Sequence, residues 1–129
     1  MDWQNTAFIA AGAVGGITAA IHGVLIERLM ARPFDTILAG DRRVSLVIRR
    51  LVAPLLHYST ISWLLGGLVL IAAAVCPFSP DARLAVGLMV GSHFLYGALG
   101  NAWATRGRHP GWMLMALAVG LIAWALYGT

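Results

Sequence analysis

Residues 51–75, LVAPLLHYSTISWLLGGLVLIAAAV, decide the fold, because this stretch contains no acidic or basic side chain apart from one histidine. At about 1.5 Å per residue, a helix over this range is roughly 37 Å long and can cross a hydrocarbon core of about 30 Å. Only helices and closed β-barrels span a bilayer, and the stretch lacks the apolar–polar alternation of barrel strands. The segment therefore predicts a membrane-spanning helix.

Three further apolar ranges lie at 6–27, 82–104 and 111–128, and the last is short for a span. The 129 residues are 60% hydrophobic and 11% charged, which is far from the composition of a soluble domain of this size. We expect one all-α domain over 1–129, an integral membrane four-helix bundle with a cytoplasmic connection at 28–50.

Arginine placement predicts the orientation of the chain. All nine basic residues are Arg; six lie in the connection 28–50, and Arg106 and Arg108 lie between the third and fourth apolar ranges. Because basic loops stay in the cytoplasm, both termini are expected outside it. We expect a multi-pass protein of the bacterial cytoplasmic (inner) membrane.

The connection 28–50 carries its own signals. Pro33 is expected to end the first helix, and Asp41 to cap a helix that runs into the second span. The two Arg pairs that follow are expected to contact anionic lipid head groups, with docking of an acidic partner as the alternative. These are Arg42, Arg43, Arg49 and Arg50. Because the basic residues adjoin apolar ranges, no nucleic-acid partner is expected.

Three histidines, His22, His57 and His93, lie inside separate apolar ranges. An ionisable group in hydrocarbon is costly and marks a functional site by default. With the orientation above, His22 and His57 lie at similar depth in the cytoplasmic half, and His93 near the midplane. Glu27 at the rim and Asn101, on the face of His93, would support an inward-facing polar site.

These histidines leave several kinds of chemistry open. Imidazoles on facing helices can bind a transition metal or haem, and titratable groups at graded depths can pass a cation. Alternatively, each imidazole forms a hydrogen bond with a neighbouring helix. No HxxxH or ExxH pair occurs, so a metal site would have to assemble between helices.

Two stretches carry a resemblance to known proteins. The first is His22-Gly-Val-Leu-Ile-Glu27-Arg28, and the second is His57-Tyr-Ser-Thr after the Arg-rich connection. They resemble a group of small uncharacterised bacterial four-span membrane proteins with a His-x4-Glu-Arg and a later His-x-Ser/Thr stretch. The resemblance covers the first half of the chain. It implies that His22, Glu27 and His57 belong together, and it implies no activity.

Small residues predict close helix packing. Gly12 and Gly16 form one GxxxG pair, and Gly87 and Gly91 form another. A bundle this small is expected to form a homo-oligomer or to join a larger membrane complex. An accessory or assembly subunit is therefore the alternative to a ligand-binding or cation-passing protein. No hydrolase signature or phosphate-binding loop occurs, and whether the chain is an enzyme stays open.

Overall fold

The computed structural model describes residues 2–128, and every regular element in that range is helical. The elements are α1 (Trp3–Ile26), a π-helical segment (Glu27–Ala31), α2 (Arg32–Gly40), α3 (Leu46–Val75), α4 (Pro80–Thr105) and α5 (Gly111–Tyr127). The prediction of an all-α chain is confirmed. The four longer helices overlap the four apolar ranges of the sequence.

These four helices pack in a ring. α1 lies between α3 and α5, and α4 closes the ring by contacting α5 and α3. Each helix contributes one of the four largest fully buried side chains: Phe8, Leu70, Phe94 and Met115. The core is therefore shared by all four helices rather than divided between two pairs.

The outer surface of the ring is apolar. Ile17, Leu65, Leu88 and Leu117, one from each helix, expose half or more of their surface. The helical runs Trp3–Gly40, Leu46–Val75 and Pro80–Thr105 are long and apolar enough to cross a membrane, and α5 is shorter, at 17 residues. Large exposed apolar side chains on all four helices fit a membrane protein, because a soluble monomer rarely exposes large apolar patches.

Both GxxxG pairs meet helices of the same chain. A Cβ built on Gly12 would lie 2.5 Å from the carbonyl oxygen of Gly67 on α3. On α4, a Cβ on Gly87 would lie 2.9 Å from a methyl carbon of Leu126, and one on Gly91 would lie 3.7 Å from Ile122. Small residues thus bring α1 against α3 and α4 against α5.

The connection 28–50 differs from the sequence prediction in two ways. Pro33 does not end the first helix, because it lies in the first turn of α2, where its missing N–H is tolerated after the π-helical segment. Asp41 is not the cap of α3: it follows the end of α2, and its Oδ1 accepts a bond from the Arg43 amide. Ser45 caps α3, accepting a 3.3 Å bond from the Ile48 amide.

Candidate functional site

An open groove of about 620 Å³ lies between α3 and α4. Tyr58, Ser59 and Trp63 line it from α3, His93 lines it from α4, and His22 reaches it from α1. Ligand-binding pockets in proteins have volumes of about 300–1,000 Å³ and combine aromatic walls with a few polar groups. The groove has both properties.

His22 is fixed by two residues of α3. Its Nε2 lies 3.2 Å from Ser59 Oγ, and its ring centroid lies 4.7 Å from that of Trp63, with a tilt of 50° between the planes. Ser59 and Trp63 are four residues apart and share one face of α3. Gly97 on α4 makes room for the indole, because a Cβ there would lie 2.9 Å from Trp63 Cε2.

His93 is held by its own helix. Its Nδ1 lies 2.8 Å from the carbonyl oxygen of Met89, so the ring donates Nδ1–H to that oxygen. This bond selects the tautomer whose Nε2 carries a lone pair, which is how protein structures orient a metal-binding imidazole. The His93 side chain is exposed and lines the groove. Its Nε2 is therefore available to a ligand.

His57 belongs to a different cluster, at the end of α1. Its Nε2 lies 3.2 Å from Glu27 Oε2, while Arg32 Nε donates a 2.9 Å bond to Glu27 Oε1. The cation beside the carboxylate favours its ionised form. His57 does not line the groove, so the structure brings His22 together with His93 there, rather than with His57.

Asn101 lines both the groove and a second cavity of about 160 Å³. His22 and Trp63 also line both cavities, and the second one extends to His109 in the α4–α5 connection. The Asn101 Oδ1 is buried and has no hydrogen-bond partner among residues 2–128. His109 Nδ1 accepts a 3.1 Å bond from the Gly111 amide. Of the polar residues expected at one inward-facing site, His22, His93 and Asn101 therefore line two adjoining cavities, whereas Glu27 and His57 line neither.

Of the four arginines predicted to contact lipid head groups or a partner, three are exposed and one approaches an acidic side chain of the same protein. Arg42 and Arg43 lie exposed between α2 and α3, and Arg50 is exposed in the first turns of α3. Arg49 instead turns towards α2, where its Nη2 lies 3.6 Å from Asp35 Oδ1.

Within residues 2–128, no three His, Cys, Asp or Glu side chains gather into a set that could hold a metal ion. The groove offers two imidazoles, whereas a structural zinc ion takes four protein ligands and a catalytic one takes three. A haem carries its own four nitrogen ligands and takes one or two from the protein. The donor set of the groove fits haem better than a bare metal ion.

Sequence reasoning missed two residues of these clusters. Trp63 lies well inside the second apolar range, where the sequence gives it no partner; in the structure it is buried and packs on His22. The spacing of Ser59 and Trp63 on one face of α3 could have shown that both reach the same neighbour. Arg32 was assigned only to topology, and its bond to Glu27 depends on the π-helical segment.

Comparison of the chain with models of protein families, with curated proteins and with solved structures finds no match.

Proposed function

We propose that the chain is an integral membrane four-helix bundle of the bacterial inner membrane, with both termini outside the cytoplasm. The three long apolar runs and the apolar exterior of the ring support insertion. The concentration of Arg residues in two of the three connections supports this orientation.

Within this bundle, the groove would bind a haem-type ligand, held by His93 through Nε2, with His22 as a second polar contact. The observation that supports this proposal most directly is the hydrogen bond from His93 Nδ1 to the carbonyl oxygen of Met89. It leaves Nε2 free in a groove large enough for a ligand. Haem would supply redox or gas-binding chemistry there. Tyr58 and Tyr96 line the groove and would contact the apolar macrocycle, and a ligand would enter through the opening between α3 and α4.

A second candidate function is that of an accessory subunit in a larger membrane complex. The observation that favours it is that His22 and His57 each contact another helical segment of the same chain, through Ser59 and Glu27. In that case these imidazoles stabilise the bundle and need no ligand. His93 distinguishes the two candidates, because its described bond is to its own helix alone.

Titration of the detergent-purified protein with haemin tests the proposal. We expect a shifted Soret band at one haemin per chain, and we expect His93→Ala to abolish it. The folded structure should survive this change, since the imidazole is exposed and bonds only to its own helix.

His57→Ala is the matched control, because it also removes an imidazole but lies off the groove. It should keep the Soret shift. An unshifted spectrum in the unmodified protein, or equal loss in both variants, would contradict haem binding through His93 and favour the accessory subunit.

A further inference from the structure

Residues 27–56 form a two-helix extension, which we call the arm: the π-helical segment, α2, residues 41–45 and the first turns of α3. Leu25 and His109 line the same cavity, so the α4–α5 connection lies level with Leu25 on α1. Beyond this level the first helical run continues to Gly40, about 22 Å further. α2 packs against the π-helical segment and α3.

The length of α5 places the arm outside the hydrocarbon core. Its 17 residues span roughly 26 Å, close to the core thickness of about 30 Å, and it starts level with Leu25. If α5 crosses the bilayer, the hydrocarbon ends near that level. The head-group layer adds only about 6 Å, whereas Ile37 lies about 18 Å further along the helical run.

The arm nevertheless exposes large apolar side chains on both of its helices. On α2, Phe34 and Ile37 are exposed; on α3, Val47, Ile48 and Leu51 are exposed. Phe34 and Ile37 are three residues apart and Val47 and Leu51 are four apart, so each helix carries neighbouring exposed apolar side chains. Exposed apolar side chains that cluster in water are typical of partner surfaces.

The charge of the arm indicates what covers it. Six Arg and three acidic residues lie between 27 and 56, which leaves a net charge of +3. Arg32 pairs with Glu27, and Arg49 pairs with Asp35. Arg28, Arg42, Arg43 and Arg50 are exposed and form no salt bridge within residues 2–128. Two copies of this surface would repel each other, whereas an acidic surface would be attracted.

We propose that the arm docks an acidic amphipathic helix of a partner protein, with leucine-type side chains against the apolar residues and carboxylates against the free arginines. The inference rests on the proposed membrane insertion. Lipid head groups are the weaker occupant, since electrostatic attraction is screened beyond about 8 Å at physiological ionic strength and Ile37 lies farther out.

The test uses the full chain in nanodiscs of phosphatidylcholine and a fluorescent 18-residue amphipathic peptide of Leu and Glu. A peptide with Lys in place of Glu is the ligand control. We expect the Glu peptide to bind about tenfold more tightly than the Lys peptide, with an affinity that falls as salt rises. Arg42→Gln with Arg43→Gln should weaken Glu-peptide binding about tenfold.

The matched control is Arg106→Gln with Arg108→Gln, which removes the same charge from the α4–α5 connection and should leave binding nearly unchanged. Equal binding of both peptides, or equal weakening by both double variants, would overturn the proposal. A second measurement asks whether lipid covers the arm instead. A fluorophore is attached to Ile37→Cys in a Cys76→Ala background, and the chain is placed in nanodiscs that contain phosphatidylglycerol and spin-labelled lipid. Quenching of the fluorophore by the spin label would also overturn the proposal. Failure of the chain to enter nanodiscs would instead refute the proposed membrane bundle.

Discussion

Gly12→Ala is expected to lower the thermal stability of the protein sharply in detergent, whereas Gly16→Ala should leave it nearly unchanged. A Cβ on Gly12 would lie 2.5 Å from the carbonyl oxygen of Gly67 and 2.7 Å from Ile71 Cγ1. The first of these atoms belongs to the backbone of α3, so the helices themselves must separate. Overpacking of a close contact costs about 1–3 kcal/mol.

Gly16 is the matched control, because it belongs to the same GxxxG pair and the same helix. A Cβ on Gly16 has Leu64 Cδ1 as its nearest neighbour, at 4.0 Å, which is an ordinary van der Waals separation. Melting followed by circular dichroism would compare the two variants. Equal loss of stability in both would show that the pair acts through another contact, such as a second copy of the chain.

Which of the two glycines is critical could not be predicted from the sequence. The GxxxG spacing identifies the face of α1 that packs closely, and this depends only on local sequence. The identity of the atom opposite each glycine depends on the rotation of α3 about its axis. Hydropathy likewise predicts where apolar helices lie, but not which helices become neighbours in the ring.

The same limit explains the errors in the connection 28–50. Asp41 and Ser45 are both good N-cap residues, and the choice between them is made by where α2 ends and α3 begins to pack. Pro33 is compatible with a helix end or with the first turn of a new helix, so its position alone does not distinguish the two. The π-helical segment Glu27–Ala31, which joins α1 to α2, has no local sequence signature.

The histidines show how far depth can be predicted. Counting residues from the span ends placed His22 and His57 at similar depth, but depth does not determine the direction in which a side chain points. His22 turns towards α3 and the groove, while His57 turns towards Glu27. His93 and Asn101, eight residues apart on α4, were expected on one face, and both line the groove.

Gly97→Ala is expected to destabilise the protein and to disturb the groove at the same time. A Cβ on Gly97 would lie 2.9 Å from Trp63 Cε2 and 3.2 Å from Nε1. The indole is buried and packs at a tilt against the His22 ring, so it cannot move away without giving up that contact. We expect a loss of about 1–3 kcal/mol in stability and a weaker Soret shift with haemin.

Gly100→Ala separates this effect from a general cost of adding a methyl group to α4. Gly100 also lines the groove, but a Cβ there meets nothing within 4 Å. This variant should keep both the melting temperature and the Soret shift. If Gly97→Ala had the same melting temperature and Soret shift as Gly100→Ala, α4 would not pack against Trp63 as closely as described. If Gly97→Ala lost stability but bound haemin normally, Trp63 would support the fold without shaping the ligand site.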